Sequence, residues 1–157
     1  MATCRSRHKA PSSLGLTGIT DAAEDRGRAA SGVIVLSHLS FGVADLAKAT
    51  AFYDGALAAL GYARVWSNED GAGYGVAGGN DRLALFVQAD RPSPPGPGFH
   101  LAFEAPSQAA VDAFHAAAMR LGGRDEGAPG VRPHYSPTYY AAFVTDLDGH
   151  KLEAVHQ

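Results

Sequence analysis

His38-Leu39-Ser40-Phe41 returns as His100-Leu101-Ala102-Phe103, and the same offset of 62 residues pairs Ala47 with Ala109, Ala51 with Ala113, Phe52 with Phe114, Ala56 with Ala118 and Gly61 with Gly123. Eight identities at one offset mark a duplicated half-domain. Two copies of this length do not make a solenoid, whose units are shorter and more numerous.

Each copy reads as strand, helix, then strands. In the first, aliphatic and β-branched residues at 33–43 predict a strand, and Asp45 can cap the helix that follows. That helix is expected over 46–60, with Leu46, Ala49, Phe52, Tyr53, Ala56, Leu57 and Leu60 forming an apolar stripe and Gly61 ending it. The second copy repeats the pattern with a strand at 98–105, the cap Ser107, a helix over 108–121 carrying Val111, Phe114, Ala118 and Leu121, and the stop Gly122-Gly123. Shorter, glycine-broken strands are expected at 62–66, 73–76 and 82–88, and again at 123–126, 139–145 and 151–155, with Asp148-Gly149 as the last hairpin turn. Prolines exclude helix or central strand between the copies. The expected organisation is therefore an α+β domain over 33–157, two βαβββ modules (33–90 and 98–157) joined by a linker at 91–97, curving mixed sheet around a concave pocket.

The 157 residues suffice for one such core, and the mean hydropathy of -0.10 is that of an ordinary water-soluble chain. Residues 1–32 carry five basic and three acidic side chains, net +2, whereas the remainder is net -5. With no aromatics and no sustained apolar period, the first 32 residues read as a flexible or loosely docked extension. Its first 20 residues are basic and acid-free, as in an organelle transit peptide or in sequence translated from a start codon placed too far upstream. The overall charge of -3 argues against a nucleic-acid partner. No apolar run approaches the roughly 20 residues that span a membrane. The single cysteine, Cys4, excludes an internal disulfide and a cysteine-based metal site, and the expected compartment is the reducing cytoplasm.

Strand alternation sorts the remaining chemistry. Leu39, Phe41 and Val43 share one face, as do Phe99, Leu101 and Phe103, so His38 and His100 both turn away from the helices. With Leu152 and Ala154 facing the helices, Glu153 joins the histidines' side. Two imidazoles and a carboxylate suit a divalent Fe, Mn, Ni or Zn ion. Against this stands the plainer reading of strand histidines satisfied by backbone carbonyls and a surface glutamate. His8, His115, His150 and His156 read as solvated.

The segments SHLSFGVADLAKATAFYDGALAALGY (37–62), GFHLAFEAPSQAAVDAFHAAAMRLGG (98–123) and, most specifically, YYAAFVTDLDGHKLEAV (139–155) resemble the vicinal oxygen chelate superfamily of glyoxalase I, extradiol dioxygenases and bleomycin- and fosfomycin-resistance proteins. The resemblance implies paired βαβββ modules, often in a homodimer, enclosing a divalent metal that chelates vicinal oxygens of a small-molecule substrate. Its metal positions fall on His38, His100 and Glu153. A fourth, expected near Leu83–Phe86, falls on Ala84, which cannot ligate and so disfavours glyoxalase I itself. The His-His-Glu trio is closer to the extradiol dioxygenase arrangement.

Between 127 and 140 a glycine- and proline-stiffened loop carries Arg132, His134, Tyr135, Tyr139 and Tyr140. Arg132 can hold a carboxylate or phosphate, and a tyrosine can donate to an oxyanion. Equally, such a loop can cover a sheet edge with aromatic rings. The catalytic candidates are Glu153, Tyr140 and Arg132, although alternation lets only one of Tyr139 and Tyr140 face the pocket and the sequence leaves the hairpin register open. The alternatives to an enzyme are a metal-free binding protein of the bleomycin-resistance type, with Trp66, Tyr74, Phe86 and a tyrosine as aromatic walls, and a structural protein on an empty fold.

Overall fold

The computed structural model describes residues 36–88, 90 and 94–157, so the extension expected at 1–32 lies outside the described residues. The elements are β1 (Leu39–Val43), α1 (Leu46–Ala58), β2 (Ala63–Ser67), β3 (Gly71–Gly75), β4 (Leu83–Val87), β5 (Leu101–Glu104), α2 (Gln108–Arg120), β6 (Arg124–Val131), β7 (Tyr140–Thr145) and β8 (Lys151–His156). They form two four-stranded mixed sheets of the same topology, β1-β4-β3-β2 and β5-β8-β7-β6, in which the first pair is parallel and the others antiparallel. The duplication in the sequence is thus a duplication of the βαβββ unit, and among the described residues neither sheet closes into a barrel.

Both helices begin and end as their sequences dictate. Asp45 and Ser107 sit in extended backbone and accept from the amides of Lys48 and Ala110 at 3.1 Å, supplying acceptors for groups that lack partners in the first turn. At the far end of α1, Gly61 adopts φ +83°, which lets the amides of Gly61 and Tyr62 reach back to Ala58 and Leu57. Phe52, Tyr53, Ala56 and Leu57 on α1 and Val111, Phe114 and Ala118 on α2 are buried, as the apolar stripes require.

These helix faces do not close two separate cores. α1 packs against α2, and the helix-facing residues of both sheets (Phe41, Leu83 and Leu85 in one, Phe103, Val144 and Leu152 in the other) join the helical residues in a single hydrophobic cluster. Tyr62 meets Phe103 edge-on with ring centroids 5.8 Å apart, and Phe41 meets Phe99 at 6.4 Å. Each fully buried aliphatic or aromatic side chain in such a cluster contributes about 1.5–3 kcal/mol. Because the helix-facing sides meet, the faces bearing His38 and His100 are the outer faces of the molecule.

One strand and two side chains depart from the sequence expectation. β6 runs on to Val131 through Gly127-Ala128-Pro129-Gly130, a stretch expected to be loop. Its register against β7 shifts twice. As the edge strand it can carry Pro129, whose missing donor costs nothing on the unpaired side. Tyr74, expected as a pocket wall, is fully buried on the helix side, where its hydroxyl donates to Asp54 at 3.0 Å and Thr50 at 3.3 Å.

His150, expected to be solvated, is buried as well. The Asp146 carboxylate accepts from the amides of Asp148 and His150, at 3.0 and 2.7 Å, and so folds the β7–β8 turn around itself. The turn lays the His150 ring on Phe41 of the other module, 4.3 Å apart and 5° from parallel. Asp146 Oδ2 then takes His150 Nδ1 at 2.9 Å and the Tyr53 hydroxyl of α1 at 2.7 Å. His115 and His156 are half-buried, held by Asp125 and by the Ala105 carbonyl at 3.0 Å each.

Candidate functional site

The strongest polar constellation on the outer face of the second sheet begins with Glu153. β8 pairs Glu153 with Ala102 of β5 on one side and Phe143 of β7 on the other, so all three project to the same face. Glu153 is 1% exposed, yet its carboxyl is fully satisfied. His100 Nε2 lies 2.9 Å from Oε2, and the Tyr139 hydroxyl donates to Oε1 at 2.8 Å. Burial and the bond to Glu153 push the Tyr139 hydroxyl up to about 12, so it remains a proton donor across the physiological range.

The register resolves the tyrosine pair. Tyr140 is opposite His156 on the helix side, where its hydroxyl bonds Asp112 of α2 at 2.8 Å. The tyrosine that reaches Glu153 is Tyr139, whereas Tyr140, the candidate taken from the sequence, lies on the opposite face. The reason is the period of two: Tyr140, Ala142 and Val144 share the helix-facing side of β7.

His38 is not brought to the pair. It stands exposed just before β1, in the other sheet, with Nδ1 3.2 Å from its neighbour Ser37 Oγ. Among the described residues no group of three histidine, cysteine or carboxylate side chains is gathered for a metal. His100 and Glu153 nevertheless supply two of the three expected donors. Their 2.9 Å contact is a hydrogen-bond distance, and an imidazole nitrogen and a carboxylate oxygen are donors suited to a divalent ion. Ala84, at the position expected for a fourth ligand, pairs with Ser40 and Gly73 on the outer face of the first sheet. Beside it the Trp66 indole lies over Gly73, leaving no room there for a Cβ, and tilts against Phe86 with centroids 5.9 Å apart.

A cavity of about 330 Å³ opens next to His100, floored by Phe143 and walled by Arg132, His134 and Tyr135 from the loop and by Lys151 from β8. His100 meets Phe143 edge-on at 6.0 Å. Arg132 and His100 therefore line the same cavity. Lys151 escaped the sequence reading, although its place two residues before Glu153 on one strand put it on the same face.

The chain matches the family model of the Glyoxalase/Bleomycin resistance protein/Dioxygenase superfamily over residues 35–154. No curated protein matches the sequence. Among solved structures it is similar to a glyoxalase/bleomycin resistance protein from Albidiferax ferrireducens T118, with 34% identity over 77% of this chain and 98% of that one and a TM-score of 0.68. Glyoxalase I of Zea mays, in a V278E mutant, shares the fold at 23% identity over 77% of this chain and 45% of that one, TM-score 0.62. A fosfomycin resistance protein from Listeria monocytogenes does so at 21% identity over 78% and 92%, TM-score 0.57. The duplicated βαβββ modules, the Asp146–Glu153 segment and the extent of the family match together establish that this chain belongs to the Glyoxalase/Bleomycin resistance protein/Dioxygenase superfamily.

Proposed function

We propose that the protein is a divalent-metal-dependent enzyme acting on a small molecule with vicinal oxygens, and that its site is assembled between two copies of the chain. The observation that carries this reading is the buried Glu153 carboxylate 2.9 Å from His100 Nε2, which brings two of the expected ligands together. His38 lies on the equivalent outer face of the other module, so a second copy is needed to bring it there. Fe, Mn, Ni and Zn all accept such a nitrogen and oxygen set. The metal would supply Lewis-acid polarisation of the chelated oxygens. The chain's own contribution is positional: Tyr139 fixes one Glu153 oxygen and keeps its own proton, which leaves Oε2 directed at His100. Arg132 and Lys151 line the cavity through which a ligand reaches that pair.

Metal analysis of protein purified without chelator tests this. The expected result is close to one divalent ion per chain, lost in His100→Ala and in Glu153→Ala. A native preparation that is metal-free and takes up none of the four ions would overturn it.

A second reading, a metal-free binding protein, is favoured by one feature: Trp66 and Phe86 pack at a tilt on the outer face of the first sheet, with Phe86 39% exposed. Such a pair can grip an apolar or cationic ring. Quenching of the sole tryptophan by such a ligand, unchanged by chelator, would select this reading.

A further inference from the structure

The cavity beside His100 holds two cations in unequal company. Arg132 Cζ lies 5.5 Å from the centre of the Phe143 ring, and Lys151 Nζ lies 5.3 Å from the same centre. Arg132 is steadied by one bond, from its guanidinium to the Ala128 carbonyl at 2.6 Å, and the turn bonds Arg132 N to Tyr139 O and Tyr135 N to Arg132 O hold its backbone. That leaves most of its five donors uncommitted. Among the described residues neither Arg132 nor Lys151 has a carboxylate partner. Of the carboxylates nearby, Glu126 on the cavity wall has Arg124 at 3.7 Å, Asp125 is bonded to His115 at 3.0 Å, and Glu153 is held by His100 and Tyr139. The aromatic floor offsets part of the repulsion between the two cations, but it satisfies none of their donors.

The geometry points to an anion subsite in which Arg132 and Lys151 clamp the carboxylate or phosphate of a small ligand over Phe143, beside His100. The guanidinium offers a planar fork and the ammonium a mobile point charge, a combination that serves either oxyanion. The cavity volume, near the lower end of ligand pockets, restricts the ligand to a small polar molecule. This deepens the function proposed above, and rests on it only for the vicinal oxygens that the same molecule would present to the metal. The anion clamp itself lies within one chain.

The test uses full-length, chelator-treated protein, so that metal plays no part, with three vicinal-oxygen probes: glycerate, glycerol 3-phosphate and neutral glycerol. Binding is read from amide shifts in NMR titrations. One or both anions are expected to bind and glycerol not, with shifts concentrated at Phe143 and Lys151. The anion that binds more tightly tells carboxylate from phosphate. Arg132→Met and Lys151→Met, which keep much of the apolar stem, should each weaken the bound anion roughly ten- to a hundredfold, as expected for loss of a charge-assisted hydrogen bond. Arg132→Lys should recover part of the loss. If neither anion binds, or if both Met variants fold and bind as well as the parent, the clamp is refuted. Metal uptake measured on the same preparations reports separately on the metal-site reading, so the two can fail independently.

Discussion

At the scale of single residues, the site turns on which hydroxyl meets Glu153. A buried carboxylate with both oxygens engaged is held in one orientation, and removing the Tyr139 hydroxyl frees one of them. Tyr139→Phe is expected to reduce metal affinity by roughly ten- to a hundredfold, the usual effect of losing an outer partner of a ligand. The same change at Tyr140 should leave affinity untouched, because its exposed bond to Asp112 lies on the helix side. Isothermal titration with Zn(II) and Mn(II) distinguishes them. The sequence placed Glu153 and His100 on one face through alternation alone, but it could not choose between two adjacent tyrosines. That choice depends on the register of β7 against β8, which is set by the length and folding of the turn between them.

At the scale of elements, the β7–β8 turn fastens the second module to α1 and β1 of the first. Burial opposes ionisation of Asp146, but the bonds from His150 and Tyr53 outweigh it and hold the carboxyl below its usual value. A carboxylate so depressed contributes stability that is fully present above about pH 4, its unfolded value, and is lost as pH falls through the folded one. Asp146→Asn should therefore lower the melting temperature at pH 7 and narrow its gap to the parent below pH 4, as thermal scans across that range would reveal. Tyr53→Phe should cost about 1–3 kcal/mol at pH 7, because it leaves a buried acceptor short of one donor. Asp148-Gly149 was legible as a turn. The burial of His150 was not, because the turn's own sequence contains nothing about Phe41, which is more than a hundred residues earlier.

At the scale of the whole molecule, the shared core turns both histidine-bearing faces outward. In a two-fold dimer pairing the first sheet of one copy with the second of the other, each site takes His38 from one chain and His100 with Glu153 from its partner. Neither His38→Ala nor His100→Ala protein should then hold metal tightly on its own. Refolded together in equal amounts, they should recover about a quarter of the parent's metal, because half the dimers are mixed and each mixed dimer has one intact site. Recovery of none on mixing, with dimers forming, would show that the trio is not shared between chains. Among the described residues no helix is long and apolar enough to cross a membrane.

The repeat at 38–41 and 100–103 determined the fold without help: duplicated strand, cap, apolar stripe and glycine stop are local signals, and each copy carries them in full. It also determined that both histidines and Glu153 leave the helix side, since alternation is a property of any strand. Which faces meet, and which residues gather on the outer ones, was decided only by tertiary structure. Packing α1 on α2 buries both apolar stripes together, and that choice separates His38 from the pair it was expected to join. No local pattern encodes it, because either arrangement of the two modules buries the same stripes.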